Sequence, residues 1–150
     1  MPEELSQFVT AIDHVGVAVA DLEEAIAFYR DTFGLRVVHI ESNEEQGTRE
    51  AMLRAAGDAG DGAALQLLAP LSADSPIASF LDRRGPGLQQ LAYRVWDIDA
   101  ISTALRHKGV RLLYEEARRG TGGSRINFVH PKAAGGVLIE LVEPPKSALP

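Results

Sequence analysis

The chain contains no cysteine. Disulfide staples are therefore excluded, and so is any thiolate nucleophile or metal ligand. Nor does any stretch reach the roughly 18 consecutive apolar residues of a membrane-spanning helix. The opening MPEELSQFV is acidic and short of apolar side chains, unlike a secretory signal. A cytoplasmic location is the default expectation. Positive charge is also in deficit: 15 Lys and Arg stand against 21 Asp and Glu, a formal net charge of −6. That argues against a nucleic-acid partner, while local patches can still bind small anions. What is present is a 45% hydrophobic content over 150 residues, enough for one folded domain with its own core.

Periodicity divides the chain into short elements. Residues 12–19, IDHVGVAV, alternate and are rich in β-branched side chains, which predicts a strand. Asp21 then caps a helix, LEEAIAFYRDTF, with Leu22, Ala25, Ile26 and Tyr29 on one face and Gly34 as its stop. Strands are predicted at 35–40, 49–53 and 64–68, the last two separated by the turn GDAGDGA. A short helix at 75–81 and the loop RRGPG follow. The same order then recurs: a strand at 88–95, a helix opened by Asp97 and ended by Gly109, and strands at 110–114, 125–129 and 137–142.

This is an internal repeat. His14 aligns with Gln90, Asp21 with Asp97, GLRVVH with GVRLLY, and LQLLAP with IELVEP, all in the same order. The predicted fold class is α+β: two tandem βαβββ modules forming an incomplete, barrel-like curved sheet with helices outside. One domain spans 1–150, with module 1 at about 11–70, a linker at about 71–86 and module 2 at about 87–145.

The repeat gives meaning to four polar residues. His14 and Gln90 are equivalent, and so are Gln66 and Glu140; each lies in a strand between apolar neighbours. Because strand neighbours point to opposite faces, all four can project onto one concave face. Polar groups on a buried surface are costly unless satisfied. A divalent cation held by one imidazole, two amide oxygens and one carboxylate would satisfy them. Gln89 points the other way by alternation and reads as a residue that supports a ligand from behind or packs. His39 and His107 read as structural or solvated, and His130 as a turn residue that could also line the site.

Several segments carry a family resemblance: IDHVGVAVADLEEAIAFY, NEEQGTREAML, LQLLAPLSADSPIASFL, GVRLLYEEARRGTGGSRINFVHPK and GGVLIELVE. Together they resemble the methylmalonyl-CoA epimerase family of the vicinal oxygen chelate superfamily, which also contains glyoxalase I. The EQG-x-x-E and RRG-x-G-G-x-R-I-x-F-x-HPK segments are the most specific. The resemblance implies an isomerase that interconverts (R)- and (S)-methylmalonyl-CoA by removing and returning the C2 proton through a metal-stabilised enolate. It implies one divalent metal on residues matching His14, Gln66 and Glu140. The family's fourth ligand is ordinarily histidine, and this chain has Gln90 there. An amide oxygen is a harder, weaker donor than imidazole. Cobalt(II) therefore ranks first, with manganese(II), magnesium and zinc as alternatives.

The resemblance places two acid–base groups at Glu50 and Glu140. REAML sets Glu50 among apolar neighbours, a costly place unless it is used; the plainer reading pairs it with Arg49 or Arg125. A metal-bound carboxylate is a poorer base, so a bound water could replace Glu140 in that part. Residues 117–132 hold four basic side chains and no acid. They read either as a solvated glycine-rich loop or as an acyl-CoA contact through Ser124, Arg125, Arg118, Arg119 and Lys132. A homodimer is expected, with no nucleic-acid or membrane partner. Two other functions share the scaffold: a glyoxalase-like metal isomerase and a metal-free small-molecule-binding protein.

Overall fold

The computed structural model describes residues 5–146. It consists of two compact units, one formed by residues 14–89 and the other by residues up to 13 together with those from 90 on. The chain changes unit within its first strand and again between Gln89 and Gln90. No helix among the described residues is long and apolar enough to cross a membrane.

The unit at 14–89 holds the second half of β1 (Val9–Ala18), with α1 (Leu22–Phe33), β2 (Arg36–Asn43), β3 (Thr48–Arg54), β4 (Ala64–Pro70) and α2 (Pro76–Arg84). Its strands lie in the order β2-β3-β4-β1; β1 is parallel to β4, and the other two pairings are antiparallel. Helix α1 begins and ends where the sequence predicts. The Asp21 carboxylate accepts from Glu24 N at 3.0 Å, and Gly34 takes φ 70° to close the last turn. The helix packs its apolar stripe on one side of the sheet, where Leu22 meets Ala51, Leu53, Leu67 and Ala69. Helix α2 falls in the predicted linker. It belongs to this unit, with Ile77 buried against Ala18 and Leu68.

The second unit holds β5 (Gly87–Val95) from Gln90 on, α3 (Ile98–His107), β6 (Arg118–Arg119), β7 (Arg125–Val129) and β8 (Ile139–Glu143), with strand order β5-β8-β7-β6. Residues 9–13 of β1 belong here too. Thr10 Oγ1 donates to Arg94 O, and Arg94 Nε donates to Asp13 Oδ1 at 2.8 Å. Asp97 caps α3 as Asp21 caps α1, accepting from Ala100 N at 3.0 Å. The core of this unit forms where Ile98 and Ile101 of α3 meet Val95, Val129 and Leu141.

The repeat breaks at one element. GVRLLY, predicted as the counterpart of β2, forms no strand; it keeps one isolated bridge, Leu112 to Val129. The cause is Asn127, fully buried in β7. Its Oδ1 accepts from Tyr114 N at 3.1 Å and its Nδ2 donates to Tyr114 O at 3.0 Å. A side-chain amide thus takes both main-chain groups that would have continued the ladder. Arg106 of α3 also donates to the carbonyls of Tyr114 and Glu115, each at 2.8 Å, which turns the chain out of the sheet.

Candidate active site

In the 14–89 unit, strand register brings three of the predicted residues onto one face. Paired residues point the same way, and Gly16 pairs with Gln66 while Met52 pairs with Gln66 from the other side. His14 is two residues from Gly16 and Glu50 two residues from Met52, so both share the face of Gln66, opposite α1. All three are buried, at 2%, 3% and 4% exposure. Gln66 Nε2 donates to Glu50 Oε2 at 3.1 Å. The bond uses the amide nitrogen, so the atom of Gln66 suited to a cation, Oε1, is not the one it engages.

Thr48 Oγ1 donates to the same Glu50 oxygen at 3.4 Å. Arg49, the ion-pair partner considered for Glu50, points the other way and bonds Glu23 of α1. A buried strand acid held in place by an amide and a hydroxyl suits the part of a general base.

In the second unit, Gln90 and Glu140 share a face by the same logic. Ala92 pairs with Glu140, and Phe128 pairs with Glu140 from β7. Gln90 Nε2 donates to Glu140 Oε1 at 3.0 Å, again leaving its carbonyl oxygen out of that bond. Each amide proposed as a ligand thus donates through nitrogen to a carboxylate of its own unit. The donor set suits a divalent cation: one imidazole, two amide oxygens and one carboxylate. Among the described residues no group of three or more His, Cys, Asp or Glu stands together as a metal cluster. The proposed set, half of it amides, contains only two such residues.

The basic segment separates by register. Arg118 pairs with Ile126, and Ile126 with Val142, so Arg118 lies on the Glu140 face. Its guanidinium sits 3.9 Å from the centroid of the Tyr114 ring, whose edge meets Phe128. Arg119 and Arg125 pair with each other on the opposite face. Arg125 is engaged there, bonding both carboxylate oxygens of Asp99 at 2.8 and 2.9 Å and approaching Glu143. Its hydrogen bonds hold the Asp99 carboxyl below the usual carboxylate range. A substrate contact by Arg125 would have to compete with that ion pair. Arg119 and Lys132 are exposed.

Ser124 is 4% exposed, and its hydroxyl has no hydrogen-bond partner among the described residues. It lies against Gly120. A Cβ added at Gly120 would meet Ser124 Oγ at 2.8 Å and Ile126 Cγ2 at 2.4 Å. Gly120→Ala is expected to destabilise the chain by about 1–3 kcal/mol through overpacking. Denaturant unfolding with a midpoint equal to that of the parent chain would contradict that close approach.

The remaining candidates settle as follows. Gln89 Oε1 is buried with no hydrogen-bond partner among the described residues. His39 is exposed, with Nε2 2.6 Å from Glu41 Oε1, a polar neighbour where only apolar ones are evident in the sequence. His107 ends α3, and His130 accepts from Lys132 N in a turn. Thr48 and Tyr114 are absent from the sequence reading. The signal for Thr48 is its two-residue spacing from Glu50 in a strand, which guarantees a shared face.

Comparison with known proteins places this geometry in context. The profile of the Glyoxalase/Bleomycin resistance protein/Dioxygenase superfamily matches residues 13–128. The ethylmalonyl-CoA/methylmalonyl-CoA epimerase of Cereibacter sphaeroides is 35% identical over 132 residues, covering 87% of this chain and 95% of that protein. Among solved structures, the methylmalonyl-CoA epimerase of Mycobacterium tuberculosis is 61% identical with a TM-score of 0.88, covering 93% of this chain and 91% of the other. A methylmalonyl-CoA epimerase solved with methylmalonyl-CoA and NH4+ is 49% identical, with a TM-score of 0.87 over 95% and 99% of the two chains. The predicted α+β fold is the fold of these structures.

Proposed function

Because the chain belongs to the Glyoxalase/Bleomycin resistance protein/Dioxygenase superfamily and, within it, to the methylmalonyl-CoA epimerase family, we propose that it interconverts (R)- and (S)-methylmalonyl-CoA. The observation that carries this reading is Glu50: a buried carboxylate on the same face as His14 and Gln66, hydrogen-bonded to Gln66. The hydrogen at C2 lies between a thioester and a carboxylate and is only weakly acidic. Inversion requires a base to take it on one side and an acid to return it on the other.

Glu50 takes the first part. Glu140, or a water beside it, takes the second. A buried carboxylate is poorly solvated, which favours its accepting a proton. His14, Gln66, Gln90 and Glu140 are the residues that would hold a divalent cation. When bound, it would supply Lewis acidity toward the substrate's carbonyl oxygens. Cobalt(II) suits the set best, with manganese(II) and magnesium next, since three of the four donors are oxygens.

Arg118 and Ser124 lie toward the Glu140 face and are the strongest candidates for contact with the anionic substrate. Arg118 offers a planar fork of donors suited to phosphate or carboxylate. Arg119 and Lys132 add positive surface, and Arg125 would contribute by orienting its strand.

The test is proton exchange. Metal-loaded protein incubated with methylmalonyl-CoA in deuterated water is expected to wash out the C2 proton signal at a rate proportional to enzyme. No exchange above background, with turnover of a hemithioacetal instead, would point to a glyoxalase-like isomerase. Absence of both activities would leave a binding protein.

A further inference from the structure

We propose that Thr48 is a positioning residue for the reaction, its hydroxyl holding the carboxylate of Glu50 in place. The inference rests on the reading of Glu50 as the base. Its observation is separate: two donors, Thr48 Oγ1 and Gln66 Nε2, both bond Oε2 of that carboxylate, at 3.4 and 3.1 Å. The two bonds hold the carboxylate in place on the face it shares with Gln66. In the forward step the C2–H bond breaks, its electron pair stays with the substrate on the thioester side, and an O–H bond forms on the Glu50 carboxylate.

Thr48 is built to hold that geometry. It is 5% exposed, and its β-branched side chain is stiff about the first torsion. Its backbone is locked on both sides, paired with Asn43 of β2 and with Pro70 of β4. The turn before it is closed by Gln46 N donating to Asn43 Oδ1 at 3.1 Å and by Leu71 N donating to Gly47 O at 3.0 Å. Gly47 takes φ +70°, and a Cβ there would meet Ser75 Cβ at 2.9 Å. The turn thus admits little besides glycine, and Thr48 leaves it at a fixed height on the Glu50 face. The 3.4 Å contact is at the long end for a hydroxyl–carboxylate bond, as catalytic hydrogen bonds often are before substrate engages them.

The experiment is a mutant cycle on the full-length, metal-loaded protein, reading kcat and KM for methylmalonyl-CoA. Thr48→Val is expected to lower kcat about tenfold with KM changed by no more than about twofold. Thr48→Ser, which restores the hydroxyl, is expected to recover most of that loss. In a Glu50→Gln background Thr48→Val is expected to cost nothing further, because the base it positions is gone. If the valine variant does not fold, Thr48→Ala and Thr48→Ser carry the same comparison.

A wild-type kcat in Thr48→Val overturns the inference. So does an equal loss in the Glu50→Gln background, which would mark a role in stability alone. Collapse of Glu50→Gln with an unaffected Thr48→Val removes only the role of Thr48. Near-normal activity in Glu50→Gln removes the base and this inference with it.

Discussion

Glu50→Gln is expected to lower epimerisation at least about a hundredfold, as for the loss of a positioned general base, while the protein stays folded at equal or greater stability. The two halves of this result come from one geometry. The carboxylate is 4% exposed and accepts from Gln66 Nε2 and Thr48 Oγ1 through one oxygen. A glutamine side chain has the same length and keeps one acceptor oxygen for those two donors, so the packing of β3 is preserved. It also spares the fold the cost of burying a charge. What it cannot do is take a proton. Activity and stability should therefore part company, as they do where a site is held at the expense of the fold. The measurements are initial rates beside a thermal unfolding curve. Near-normal turnover would refute the base role, whereas a fall in both quantities together would return Glu50 to a structural part.

The shared face of the candidate residues was legible in the sequence to the extent that it obeys strand alternation. His14, Gln66 and Glu50 share a face because β1, β3 and β4 are regular through those positions, and an even spacing then fixes which way each side chain points. The Asp21 and Asp97 caps were legible for a similar reason, since a cap acts on the residues immediately after it. Long-range register was not. Arg118 and Arg119 are adjacent and chemically identical in the sequence. Pairing of a two-residue strand with β7 sends one to the Glu140 face and the other to the Arg125 face.

The missing strand at 110–114 was hidden too. Its sequence is as apolar as that of β2, and what ends it is the amide of Asn127, more than ten residues downstream. Repeat alignment predicts which residues are equivalent. It does not predict where a side chain will take over a backbone hydrogen bond.

Removing divalent cations with a chelator is expected to lower turnover by at least about a hundredfold, since Lewis acidity toward a carbonyl oxygen contributes several kcal/mol and each 1.36 kcal/mol is about tenfold in rate. Cobalt(II) is expected to restore activity first, manganese(II) next, and zinc least, the order that one imidazole and three oxygen donors favour. The orientation of the amides argues for the same ligand set. Gln66 gives its N–H to Glu50, outside that set, at 3.1 Å, and Gln90 gives its N–H to Glu140, within it, at 3.0 Å; each bond orients its amide without using the carbonyl oxygen. Gln90→His exchanges the hard amide oxygen for an imidazole nitrogen. It should tighten binding and move the preference back toward zinc, read by metal titration against a chromophoric chelator. Two results would remove Gln90 from the ligand set: unchanged affinity in that variant, or a chelated protein that keeps its full rate of proton exchange.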